Sequence, residues 1–164
     1  MIFGMTPFTF FHVLLSLIGI VSGFVVVLGF IGGKRLGCWT TVFLATTVLT
    51  SVTGFLFPVH HFMPSHAIGI ISLLVLAVAI YALYVRRLAG PWRRVFVITA
   101  SIAQYLNFFV LIVQLFMKVP ALKVLAPTQS ELPFKATQLT TLVVFALLTI
   151  LAAIKFRDDA IRKA

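Results

Sequence analysis

Three histidines and a methionine crowd the segment PVHHFMPSH, Pro58 to His66, in a chain otherwise made of apolar runs. His60, His61, Met63 and His66 are ligand-type residues, because neutral imidazole and thioether both suit haem iron or a soft transition metal. The fourth histidine, His12, stands far off in the first apolar run. His12, Ser16, Gly19 and Gly23 recur at intervals of four, three and four, which places the imidazole on a helix face lined with small residues. His66 and Gly69 stand in a similar relation. Two imidazoles from different helices converging beneath a loop could hold haem b or one metal ion, with Lys118, Lys123 or Lys135 for propionates. The competing reading leaves His60 and His61 as solvated loop residues, puts His66 at a helix start beside Ser65, and has His12 hydrogen-bond a neighbour.

Other chemistries lack their groups. There is no HExxH pattern for zinc hydrolysis and no GxSxG elbow, and Ser65 beside His66 cannot form a triad by adjacency. Cys38 is the single cysteine, so no intramolecular disulfide or CxxC site can form. Asp, Glu, Lys and Arg are absent from the middle of every apolar run, which argues against proton-coupled or ion transport. This chain alone is therefore not expected to be an enzyme.

The elements that must position the histidines follow from composition. With 62% hydrophobic and 10% charged residues in 164, the chain lacks the polar surface of a soluble domain and belongs in a bilayer. Five apolar runs stand out: Phe8 to Ile31, Trp39 to Phe57, His66 to Val85, Val95 to Met117 and Ala136 to Phe156. Each can span a hydrocarbon core of ~30 Å at ~1.5 Å per residue, which predicts an all-α polytopic bundle of five transmembrane helices in a single domain. The N-terminal segment has no basic n-region or cleavage pattern, so the first helix is expected to be retained.

The formal charge of +10 is gathered in short clusters between runs, a pattern for membrane topology and not for nucleic acid. Lys34, Arg35, Arg86, Arg87, Arg93, Arg94, Lys155, Arg157, Arg162 and Lys163 fall on one side, against Lys118, Lys123 and Lys135 on the other. The positive-inside rule then sets the N-terminus outside and the C-terminus in the cytoplasm, with Trp39, Tyr84 and Trp92 at the cytoplasmic interface. Pro91 suits the first turn of the fourth helix. The loop from Lys118 to Lys135, broken by Pro120, Pro127 and Pro133, is expected to fold over the outer mouth or meet a partner.

Inside the bundle, Gln104, Asn107, Gln114 and Lys118 follow one stripe of the fourth helix, and Gln138, Thr141 and Thr149 share a face of the fifth. Interhelical hydrogen bonding is the plainer reading of these amides, and a passage for a small neutral solute the sharper one.

Through TGFLFP (Thr53 to Pro58), the histidine-bearing loop after it and APTQSE (Ala126 to Glu131), the whole chain resembles small multi-span membrane proteins of bacteria that have no assigned activity. This resemblance implies a multi-pass protein of the bacterial inner membrane. A weaker similarity to membrane b-type cytochromes rests on His12 and His66 alone, without the paired histidines on both membrane sides of two-haem members. The expected function is that of a non-catalytic binding or accessory subunit with a histidine-rich outer site. Expected partners are membrane lipids and other membrane subunits, or a second copy through the small-residue face of helix 1. A one-haem or one-metal redox protein is the first alternative, and a solute transporter the second.

Overall fold

The computed structural model describes residues 6–57 and 64–156, so His60, His61 and Met63 lie outside the described residues. Within these bounds the regular elements are all helices. They are α1 (Pro7–Ile31), α2 (Gly37–Gly54), α3 (Pro64–Ile80) running into a π-helical turn (Tyr81–Val85), α4 (Trp92–Lys118), a short α5 (Pro120–Leu125) and α6 (Leu132–Lys155). Four segments are long and apolar enough to cross a membrane: Pro7–Ile31, His66–Val85, Trp92–Lys118 and Leu132–Lys155. α2, with 18 residues of which six are threonine, is not among them.

Local chemistry explains the ends. Thr6 caps α1 by accepting from the Thr9 amide at 3.2 Å, and prolines open α1, α5 and α6, where a missing N–H costs nothing. α1 stops where Gly33 takes φ +76° and the Lys34 amide bonds back to the Gly29 carbonyl at 2.9 Å. Several boundaries differ from the expected ones. α4 begins at Trp92, three residues before Val95, with Pro91 at the cap position and not in the first turn. Arg93 and Arg94 lower the hydropathy there, but arginine is a good helix former. α6 begins at Leu132 instead of Ala136, because Pro133 fits its first turn. α2 ends at Gly54, short of Phe57, and the segment from Lys118 to Lys135 contains α5 and the start of α6.

α1 packs against α2, α4 and α6, while α4 also touches α3, α5 and α6. Lipid is as apolar as leucine, so such helices are held by close approach and interhelical bonds rather than by escape from water. Gly19 and Gly23 supply the approach. A Cβ on Gly19 would sit 3.3 Å from both the Thr46 and Thr47 hydroxyls, and one on Gly23 would run into the Gln104 carboxamide. Below them, Phe30, wholly buried, packs on Phe156 and Phe96 with ring centroids 4.9 and 5.5 Å away.

The α3–α4 turn is bent by burial. Arg87 and Leu88 both take left-handed backbone (φ 48° and 59°), and the Leu88 amide reaches back to the Ala82 carbonyl at 3.1 Å. This conformation costs of order 1 kcal/mol or more per non-glycine residue. It is offset by Leu88, which enters the core at 1% exposure. Arg86 meanwhile lies over Trp92, 5.1 Å from the ring centre.

The alternating helices sort the polar residues to two ends. Lys34, Arg35, Arg86, Arg87, Arg93, Arg94 and Lys155 gather at one, together with Trp39, Tyr84 and Trp92. His12, His66, Lys118, Lys123, Glu131 and Lys135 belong to the other.

Candidate functional site at the histidine end

The last turn of α2 and the residues after it, Thr53 to Phe57, form the centre of the histidine end. His12 approaches from α1: its Nδ1 lies 2.8 Å from the Thr53 hydroxyl, and its ring meets Phe57 edge-on at 5.0 Å. The Thr53 hydroxyl already donates to the Leu49 carbonyl at 2.7 Å, so it can only accept from His12. The proton therefore sits on Nδ1, and Nε2 carries the lone pair. His66 approaches from α3, buried at 8% exposure and stacked on Phe55 with centroids 5.7 Å apart. Both histidines thus lie against the segment from Thr53 to Phe57, each on its own aromatic ring, His12 on Phe57 and His66 on Phe55. Phe8 extends the cluster, 5.0 Å from Phe57.

The small-residue face of α1 positions His12 as its spacing implied. Gly19 and Gly23 are buried, and the Ser16 hydroxyl donates to the His12 carbonyl at 2.9 Å. No group of three or more His, Cys, Asp or Glu residues able to hold a metal occurs among the described residues. Met117, at the same end, is exposed.

The polar stripe of α4 divides along its length. Gln104 is fully buried and its Nε2 donates to the Ile20 carbonyl of α1 at 2.8 Å, while Asn107 Nδ2 donates to the Thr47 hydroxyl of α2 at 3.1 Å. Gln138 of α6 donates to the Phe109 carbonyl at 3.2 Å. Gln114 and Lys118, further along, are exposed. The buried amides thus fasten helices through their nitrogens, while Oε1 of Gln104 and of Gln138 is buried without a hydrogen-bond partner, and Thr141 and Thr149 donate to carbonyls of their own helix.

The loop between α4 and α6 closes over the end of α4. Ala126 is buried with Ile112 and Phe116, and the Gln129 carboxamide donates to the Val113 carbonyl at 3.0 Å from a left-handed backbone (φ 59°). Glu131 holds the turn together: its carboxylate accepts from the Thr128 hydroxyl at 2.8 Å, the Thr128 amide at 3.2 Å and the Ser130 amide at 3.0 Å. Desolvation raises the carboxyl pKa, but these hydrogen bonds outweigh it and hold the group below its ordinary value. A depressed folded pKa means stability present above the unfolded pKa and lost as pH falls through the folded one. Glu131→Gln is therefore expected to speed protease cutting of this loop at neutral pH and to leave the rate unchanged in acid; equal rates at both pH values would refute the role. Gln129 and Glu131 were not singled out as site residues from the sequence, although the Thr-x-x-Glu spacing within APTQSE was the available sign.

Comparison with family models, with curated proteins and with solved structures finds no match for this chain.

Proposed function

We propose that this protein is a non-catalytic binding or accessory subunit of the bacterial inner membrane. In this reading it crosses the bilayer five times, with α2 as the second span, the histidine end outside and the basic end in the cytoplasm. The support for orientation is the separation of seven described basic residues at one end from three at the other. The observation that carries the functional reading is that His12 and His66 both lie against the segment from Thr53 to Phe57 at the end of α2, with the His12 Nε2 lone pair not needed for packing. A lone pair held in place by a bonded Nδ1–H is ready to accept from a partner or ligand. Against a solute passage, the nitrogens of Gln104, Asn107 and Gln138 are already bonded to neighbouring helices.

The test is an absorption spectrum, oxidised and dithionite-reduced, of the detergent-purified protein, with metal analysis of the same sample and of what co-purifies. The expected result is no Soret band, no stoichiometric metal and a membrane component retained through purification. His12→Phe keeps the ring packing and removes the nitrogens, and should lower that component's recovery about five-fold, the equivalent of one hydrogen bond. Unchanged recovery would overturn the role of His12.

A one-haem or one-metal protein is the second reading, favoured by the same Nε2 lone pair. It requires a reducible chromophore or bound metal in the wild type that disappears in the His12→Ala/His66→Ala variant while the protein still inserts. Full cofactor in that double variant would eliminate these ligands.

A further inference from the structure

At the basic end, an open groove of about 400 Å³ runs between α4 and α6, lined by Arg94, Ile150, Ala153 and Ile154. We propose that this groove holds an anionic glycerophospholipid, its phosphate on Arg94 and one acyl chain along Ile150 and Ile154. The site stands at the end opposite the histidines and rests only on membrane insertion, not on the function proposed for them.

The shape suits a lipid better than a free anion. Ile150, Ala153 and Ile154 recur at three- and four-residue spacing, so they form one apolar strip of α6 leading away from the charge. Arg94 lies two residues beyond Trp92, about 3 Å along the helix. Aromatic residues of this kind sit at headgroup level, where phosphates lie and where a long arginine side chain directs its guanidinium. The planar fork of that guanidinium matches two phosphate oxygens.

Charge argues for an occupant with net negative charge. Arg86, Arg87, Arg93 and Arg94 crowd the start of α4, whose first turn contains no acidic residue and whose cap offers no side-chain bond. Cations at the positive end of a helix repel its dipole as well as one another. The one carboxylate among the described residues, Glu131, is at the far end and bonded within its loop. Arg86 is engaged with Trp92, and the Arg93 Nε is buried without a hydrogen-bond partner. A basic pocket between helices facing an anionic leaflet is the arrangement that recognises such headgroups.

The experiment is native mass spectrometry of the full chain released from nanodiscs containing equal phosphatidylglycerol and phosphatidylcholine. The wild type is expected to retain one phosphatidylglycerol in preference to phosphatidylcholine. Arg94→Gln should cut that retention about tenfold, the loss of one charge-assisted contact, whereas Arg87→Gln, an equal change of charge outside the groove, should keep it. Equal loss in both variants would mean a diffuse field and would overturn the site, as would equal retention of the two lipids by the wild type. Asp158 and Asp159 follow α6 in the sequence and are the carboxylates that could take Arg94 instead. Lipid retention by the Asp158→Asn/Asp159→Asn variant but not by the wild type would show that they do, and would refute the proposal. Should Arg94→Gln fail to insert, Ile150→Ala/Ile154→Ala decides the matter, since both side chains are more than half exposed and bear little on folding. Loss of the lipid there supports the groove, and full retention refutes it.

Discussion

Replacing Phe30 by alanine is expected to destabilise the bundle by about 3.5–5.5 kcal/mol. In water, part of such a loss comes from the transfer of the side chain, but here the lipid is as apolar as the core, so that part nearly vanishes. What remains is the cavity, about 24 cal/mol per Å³ over roughly 100 Å³, or about 2.4 kcal/mol. Two ring contacts, to Phe156 and Phe96, add about 0.5–1.5 kcal/mol each. Phe11→Ala is the control, because Phe11 is 51% exposed on the outside of the bundle. Thermal unfolding in detergent, followed by tryptophan fluorescence, should show a drop of roughly 10 °C for Phe30→Ala and little change for Phe11→Ala. Equal drops would show that the Phe30 cluster is no tighter than the lipid-facing surface.

Gly23→Ala should come next, at about 2–3 kcal/mol. The new methyl would collide with the Gln104 carboxamide and lie 2.9 Å from the Phe43 ring. Gln104 cannot simply swing away, because it is fully buried and its Nε2 is bonded to the Ile20 carbonyl. Either α1 and α4 separate or that bond breaks. The diagnostic is the double variant Gly23→Ala/Gln104→Ala, which removes the obstacle and should recover most of the midpoint lost in Gly23→Ala. Additive losses in the double variant would mean that the two residues do not meet.

Those two residues also mark what could be read from the chain alone. The small-residue face of α1 was legible, since glycine spacing on an apolar helix leaves few uses other than close approach. The first span was legible to within a residue, Pro7–Ile31 against Phe8 to Ile31, because nothing interrupts its hydropathy and a Gly-Gly pair ends it. The span His66–Val85 coincides with the expected run. The start of α4 was not legible, because hydropathy registers Arg93 and Arg94 as polar whereas the backbone registers good helix formers after a proline. The left-handed pair Arg87 and Leu88 had no sequence sign, since the burial that sustains it comes from helices distant in the chain.

At the site, the face of His12 was legible and its partner was not. Periodicity finds a direction, whereas only the packed bundle brings Thr53 to the imidazole and commits that hydroxyl to Leu49. The stripe on α4 was half legible: Gln104 and Asn107 point inward, but α1 and α2 do not cover the helix as far as Gln114.

The hydroxyls of α2 bear on how the protein is made. Thr41, Thr46 and Thr53, half of the six threonines of the helix, each donate to the carbonyl four residues back, which hides part of its polarity from its surroundings. A translocon samples a segment before its neighbours have docked, and on composition α2 is the weakest candidate of the five. It lies along α1, joined to it by the short link after Ile31. In the five-span arrangement the two would enter the bilayer as one hairpin, the strongly apolar α1 carrying a companion that would hesitate at the membrane by itself. Biogenesis, and not only the finished packing, would then depend on Gly19 and Gly23.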